Sequence, residues 1–366
     1  MFALTVHHLR FTALALTPIL MDAFKGSALR GAWHTYLQHH FCPAPESTRN
    51  DPLHQNICPV CYLVSRSNGP ETRRPFTLQP PLSRQAGYEP GETFQFGFTL
   101  LGQAHTLFPY ALLAWHEVGE TLGLGRFLPG GRHRGRYRLL QVEAYDPHTN
   151  RSEVVYDRTR GRTVQMPTVA VTADSIAQRV ERMTPSPSLP LKGEGVREGV
   201  RLVLRFLTPL RLIEQERLMH RFRFETFVRR LLERLYGVAE QFGTPTPSPT
   251  PSPFRGRDGV GVGVGVGEEV RRLWPVIHQV RVVDDRTHWW DVKGHSQRKG
   301  GPTYLGGLVG DVVLEAPDWR PLLPYLLWGE SLQVGKNVIK GCGLYRVDMD
   351  VDKSEFALPF ASSNGH

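Results

Sequence analysis

The stretch Phe224-Glu-Thr-Phe-Val-Arg-Arg-Leu-Leu-Glu-Arg-Leu235 places Phe224, Phe227, Val228, Leu231, Leu232 and Leu235 at i, i+3, i+4 and i+7. That spacing lines one face of an α-helix with apolar groups, so these six residues predict the buried side of a long helix running from about Arg217 to Phe242. Arg223, Arg229, Arg230 and Arg234 fall on the other faces, where a solvated surface and an RNA contact are equally open readings. Before the helix, Val200 to Leu207 reads as a strand. After it come strands around Val276 to Val283 and Val309 to Leu314, a short helix at Trp319 to Gly329, a glycine-rich stretch, and a last strand at Leu344 to Val351. The order is β-α-β-β-α-β, the ferredoxin-like arrangement.

The same order precedes it in the chain. A strand near Leu4 to Leu16 leads to a helix from Ser27 to about His40 and a cysteine-bearing excursion at about 41–75. Then follow a strand at Thr93 to Leu101, a helix at Leu107 to Leu122, a glycine-rich stretch and a strand at Tyr137 to Ala144. We therefore expect an α+β protein of two tandem ferredoxin-like (RRM-like) domains, at 1–150 and 165–355. Two insertions interrupt the second, at about 184–199, opening Thr184-Pro-Ser-Pro-Ser-Leu-Pro190, and at about 244–268, opening Thr244-Pro-Thr-Pro-Ser-Pro249 and ending in a Gly-Val run. Proline withholds backbone donors and glycine raises the entropy cost of ordering, so both are expected to be flexible surface segments.

Lysine and arginine outnumber aspartate and glutamate by 44 to 35 in the 366 residues, a formal charge of +9. The arginines lie among aromatic and glycine residues, without the concentrated lysine tail of a membrane-surface protein, so nucleic acid is the expected partner. Four cysteines are too few for a disulfide framework in a chain of this length, and a reducing cytoplasm is the expected compartment. Phe11 to Phe24 follows Arg10 and is apolar, but Thr12, Thr17, Pro18 and Asp22 interrupt it, so neither an export signal nor a membrane span is expected.

Four blocks of sequence carry a resemblance. They are Phe24-Lys-Gly-Ser-Ala-Leu-Arg-Gly-Ala32 with Cys42 and Cys58-Pro-Val-Cys61-Tyr62; Gly91 to Gly102 with Gly123-Leu-Gly-Arg-Phe127; Leu204-Arg-Phe-Leu-Thr-Pro-Leu-Arg211; and Trp290 through Gly306-Gly-Leu-Val-Gly310 to Val334-Gly-Lys-Asn-Val-Ile-Lys-Gly-Cys-Gly-Leu-Tyr-Arg346. In this order and spacing the sequence resembles the CRISPR pre-crRNA processing endoribonucleases of the repeat-associated mysterious protein (RAMP) superfamily. The resemblance implies tandem ferredoxin-like domains and cleavage of CRISPR repeat RNA in pre-crRNA, leaving a 5′-hydroxyl and a 2′,3′-cyclic phosphate. The partners it implies are that RNA and other CRISPR effector subunits; a homodimer is compatible with it. It also implies a catalytic histidine in the first helical region, whose position varies between family members.

Metal-free cleavage of RNA needs a base for the 2′-hydroxyl, an acid for the leaving oxygen, and cations beside the pentavalent phosphorus. With Ser27 as N-cap, the first helix turns Leu29, Ala32, Trp33, Tyr36 and Leu37 inward and Arg30, His34 and Gln38 outward. Arg30 and His34 are i, i+4 neighbours near a helix N-terminus with Lys25 just before it, so His34 is the first candidate for acid–base work. His39, at the edge of the apolar face, and His40, inside it and expected to be packed, are the second. The alternative for His34 is an exposed helical histidine with no task.

RNA contacts are expected from Arg126, Arg132, Arg134 and their neighbours His133 and Arg136 in the first glycine-rich stretch. They are expected from Gly335, Lys336, Lys340, Gly341 and Gly343 in the terminal loop, where glycines let a backbone approach phosphate or simply make a tight turn. They are also expected from Trp289, Lys293 and Arg298, which interleave stacking rings with cations. Cys42, Cys58 and Cys61, with His39, His40 or His54 as fourth ligand, fit either a structural zinc site or three reduced thiols with no metal. No cofactor is expected for catalysis. The rival functions are a non-catalytic RNA-binding RAMP subunit of an interference complex and a zinc-stabilised nucleic-acid-binding module. The sequence has no P-loop, paired carboxylates or Ser-His-Asp order to support another kind of hydrolase.

Overall fold

A computed structural model describes residues 3–49, 51–65, 73–161, 163–184, 199–243, 264–296 and 301–349. The proline-rich insertions and Arg298 lie outside them. The first sheet is built from β1 (Val6–Ala15), β2 (Phe76–Gln79), β3 (Thr93–Leu101), β4 (Tyr137–Asp146) and β5 (Arg151–Asp157), in the order β2-β3-β1-β4-β5, all antiparallel. Helices α1 (Gly26–Phe41) and α2 (Phe108–Glu117) make the two crossovers. Without β5 this is the ferredoxin-like strand order, and β5 adds an edge.

A linking helix, α3 (Ala173–Met183), leads to the second sheet. Its strands β6 (Val200–Leu210), β7 (Arg281–Asp285), β8 (Gly307–Ala316) and β9 (Tyr345–Asp348) run β7-β8-β6-β9, the same order again, with His288–Trp290 also pairing on β8. Helices α4 (Phe224–Phe242), α5 (Val264–Gln279) and α6 (Leu323–Leu332) complete the second unit.

All six apolar residues that predicted α4 are buried, as are Leu29, Ala32, Trp33, Tyr36 and Leu37 on α1. Trp33 and Trp115 stack 6.0 Å apart, with Phe76 and Phe98 against Trp33, at the centre of the first core. The second core draws Leu4, Val6, Leu101 and Val171 from the first sheet and its connection, so the two cores meet. Polar contacts also join them: Gln333 Nε2 donates to the carbonyl of Leu78 at 2.7 Å, and His148 Nε2 lies 3.2 Å from Ser331 Oγ.

Four local expectations need correction. Helix α4 starts at Phe224 because Ile213–Glu214 and Arg217–Leu218 form a tight hairpin, with Gln215 and Glu216 both at positive φ. The strand expected from Val276 starts at Arg281, since α5 runs through Gln279. That helix begins at Val264, inside the Gly-Val run taken as insertion. Ser27 does not cap α1: Lys25 holds the cap position, and the Ser27 hydroxyl is buried without a partner.

Candidate active site and nucleic-acid interface

Helix α1 has no acidic residue in its first turn and enters beneath the terminal loop of the second unit. Contact there is backbone to backbone. A Cβ on Gly26 would stand 1.8 Å from the carbonyl oxygen of Lys340, so only glycine lets the loop seat on the helix. Val338–Lys340 forms a single helical turn between Asn337 and Gly341, both left-handed, and this turn delivers Lys340 to the side of Arg30.

One turn further along α1, His34 is half-buried. Burial, and then the electrostatic influence of Arg30, Arg74, Arg49 and His39, lower its pKa to about 3. The three arginines are gathered from α1, the cysteine-bearing segment and the approach to β2. Arg30 is itself held down to about 10 by burial, and its Nε is buried without a hydrogen-bond partner. Lys340 is lowered by burial and then by Arg30. Cations gathered around a neutral imidazole favour the binding of an anion there. Chemically, the site can accept a proton at the imidazole and stabilise charge on a phosphoryl group beside it.

The other candidates divide. His39 and His40 are exposed, and His40, expected to pack inside, lies with its ring flat on Tyr36 at 4.2 Å. Lys25 is removed from any surface: it is 0% exposed, and its Nζ donates to the carbonyls of Ser83 (2.6 Å) and Gln85 (2.9 Å). Burial lowers its pKa to about 8. Its place beside the site in sequence therefore does not make it a phosphate ligand.

The glycines of the terminal loop also serve packing. A Cβ at Gly335, Gly341 or Gly343 would lie 2.6 Å from the Arg211 carbonyl, 2.3 Å from Pro80 and 1.8 Å from the Val334 carbonyl, respectively. Gly341 and Gly343 are buried, so this loop backbone packs closely against its neighbours. Lys336 remains exposed.

In the first glycine-rich stretch Arg126, Arg132, His133 and Arg136 are exposed; Arg134 donates to the Gly125 carbonyl at 2.8 Å and lies over Phe127, itself 59% exposed. Trp289 is half-buried, with its Nε1 bonded to Asp291 at 2.8 Å and its ring 4.1 Å from that of His220. Trp290 packs edge-on against Phe24, and Arg84 lies over its face at 4.7 Å. Lys293 is exposed.

Sequence reading missed Arg49, Arg74 and Arg84. The first two sit in and just before the end of a segment read only for its cysteines, and no periodicity marks a residue that reaches the site from a loop.

In that segment Cys42, His54, Cys58 and Cys61 have ligand atoms that all lie within 4.8 Å of one another. Cys42 Sγ is 3.3 Å from His54 Nε2 and 3.5 Å from Cys61 Sγ. His54 is thus the fourth member, and His39 and His40 are not.

Comparisons with known proteins agree with this architecture. Residues 204–345 match the family model described as CRISPR-associated endoribonuclease Cas6, and residues 4–169 match one described as an N-terminal domain (AF_1859_N). No functionally curated protein has a sequence close enough to match. Among solved structures, Thermus thermophilus Cas6 is similar at 14% identity and a TM-score of 0.50, over 94% of this chain and 99% of that one. A chain of a partial Cas6-RT-Cas1–Cas2 complex is similar at 12% identity and a TM-score of 0.52, over 96% of this chain and 47% of the other. A Cas6 product complex aligns at 15% identity and a TM-score of 0.49, over 94% of this chain and 100% of that chain. Among the described residues, no helix is long and apolar enough to cross a membrane.

Proposed function

We propose that this chain is a Cas6-like CRISPR-associated endoribonuclease, in keeping with the family model that residues 204–345 match, and that it binds CRISPR repeat RNA and cuts pre-crRNA with His34 at the centre of the chemistry. The observation that carries the reading is the cation cluster of Arg30, Arg49 and Arg74 around the neutral imidazole of His34, with Lys340 beside Arg30.

In this reading the scissile phosphate sits among those cations. Neutral His34 takes the 2′-hydroxyl proton, and the 2′-oxygen forms its bond to phosphorus as the bond to the 5′-oxygen breaks. The departing 5′-oxygen takes a proton from water, the proton held by His34 returns to solvent, and the products are a 2′,3′-cyclic phosphate and a 5′-hydroxyl. Charge building on the non-bridging oxygens is met by guanidinium groups already in place. No metal takes part in the step. The phosphate's own charge raises the His34 pKa from its low value in the free protein, making the imidazole a better base when substrate is present.

Exposed Arg126, Arg132, Lys293 and Lys336 supply phosphate contacts away from the cut, and Trp289 and Phe127 offer faces for unpaired bases. RNA of the CRISPR repeat is the partner, with other CRISPR proteins as further partners. The test is cleavage of the repeat RNA of its own locus, with no divalent metal added and the protein's own metal content left intact, by the wild type, His34→Ala and His40→Ala. Cutting at one site that only His34→Ala abolishes supports the mechanism; tight binding without cutting in the wild type makes the chain a structural RNA-binding subunit.

A further inference from the structure

We infer that Cys42, His54, Cys58 and Cys61 bind one Zn2+ ion, and that this ion fixes Arg49 against the Cys42 carbonyl at the end of α1. Between Cys42 and Cys58 the chain forms two short helices, Glu46–Arg49 and Pro52–Ile57. Helices of one turn or so have no stability of their own. Apolar burial does not supply it: the first has no buried residue and the second only Gln55, while Leu53 and Ile57 are 70% and 80% exposed. A segment ordered without a core needs a cross-link, and a metal is the common one.

The four side chains have the geometry for it. Tetrahedral zinc with Zn–S of about 2.3 Å sets sulfurs about 3.8 Å apart, close to the 3.5 Å between Cys42 and Cys61 and too long for a disulfide. Cys42 and Cys61 are fully buried, while Cys58 and His54 are partly exposed and leave a route for the ion. Each ligand sits at an element boundary or on a short helix: Cys42 ends α1, His54 lies on Pro52–Ile57, and Cys58 precedes Pro59–Val64, which carries Cys61. On binding, the three thiols release their protons to solvent and His54 ligates through Nε2 as a neutral ring. Three thiolates on Zn2+ leave one net negative charge.

Arg49 connects this centre to the site. Its Nη2 donates to the carbonyl of Cys42 at 2.9 Å, and its own carbonyl accepts from Gln55 Nε2 at 2.9 Å. The ion therefore closes the 42–54 loop around the arginine that acts on His34. This second half rests on the nuclease reading; the metal site does not.

Metal analysis of the full chain, purified under reducing conditions with zinc in the medium, should give one zinc per chain. Cobalt exchanged into it should show thiolate charge-transfer absorption. Cys58→Ser, whose partly exposed position tolerates the exchange, should lose the metal, and Cys342→Ser, at a buried thiol outside the cluster, should keep it. Wild-type protein with no stoichiometric zinc and no cobalt–thiolate absorption overturns the site. Stripping the ion should slow cleavage by roughly 10 to 100-fold, and undiminished cleavage by protein shown to be metal-free overturns the link to Arg49. Metal content is measured without RNA, so a wild type that binds zinc and cuts nothing supports the site and overturns only the nuclease reading.

Discussion

Helices α1 and α4 hold the same place in two copies of one fold, each the first crossover of its sheet, yet their arginines are set in different surroundings. Three arginines at α4 pair with carboxylates: Arg229 with Glu225 at 3.1 Å, Arg230 with Glu233 at 2.7 Å, and Arg223, just before the helix, with Glu214 at 2.8 Å. Arg234 is buried and donates to the Leu332 carbonyl at 2.8 Å. On α1 there is no acid in the first turn, and Arg30, Arg49 and Arg74 act together on His34. Topology is duplicated, but Arg223, Arg229 and Arg230 already hold carboxylates, which weakens their draw on a phosphate. The RNA reading for the α4 arginines, left open by sequence, is therefore the weaker one.

The largest effect should come from removing the imidazole. His34→Ala is expected to slow single-turnover cleavage by about 10²- to 10⁴-fold with RNA affinity nearly unchanged, the usual worth of one acid–base group. An equal loss from His278→Ala on α5 of the second unit would erase the contrast between the two units. Next, Arg30→Ala should cost about 10²-fold, as loss of one preorganised charge does, and should move the pH profile in a defined direction. Cations favour neutral imidazole, so removing one raises the His34 pKa from about 3 toward its ordinary value. The acid limb of kcat/KM then shifts to higher pH in the variant. A shift to lower pH, or none, would mean Arg30 does not face His34 in the working enzyme.

A third difference concerns acid. On β1, His7 and His8 are 6% and 1% exposed, and burial lowers their pKa values to about 4 and about 3; burial also lowers His148 well below the usual range. The unfolded chain takes up these protons near pH 6.5, the folded chain only below about 4, so stability is full above 6.5 and falls as the pH drops through that window. Each such histidine contributes a slope of up to about 1.4 kcal/mol per pH unit. Urea midpoints between pH 7 and 4.5 should fall accordingly, and His8→Gln, which keeps a polar group for Thr99 and Gln79, should flatten the curve.

Much of this was legible in the chain because buried faces repeat. The periodicity of α1 and α4 identified their core residues, and the alternation along β1, β3 and β4 located those strands. Short elements were not legible: Phe76–Gln79 is four residues long and buried throughout, without alternation. The site was half legible. Arg30 and His34 share a helix, so their spacing brings them together, whereas Arg49, Arg74 and Lys340 arrive from separate segments through tertiary contacts. Lys25 and the loop glycines are engaged in packing, since residues close to a site in sequence can be the ones that build its walls.

The smallest predicted effect tests the other side of the contrast. The Arg229–Glu225 pair is an exposed i, i+4 pair, with side chains 49% and 37% accessible. Such pairs contribute about 0.3 to 0.5 kcal/mol, because two long side chains lose entropy to hold a contact that water and salt already weaken. Arg229→Ala should therefore move the denaturation free energy by no more than about 0.5 kcal/mol. It should also leave repeat-RNA affinity and its salt dependence unchanged, since a guanidinium already paired with a carboxylate releases no counterion when RNA arrives. A salt slope lower by about one in Arg229→Ala would instead place a phosphate on α4. In that case Glu225 is displaced on binding, and the matched charges of the second unit are a surface held in reserve for RNA.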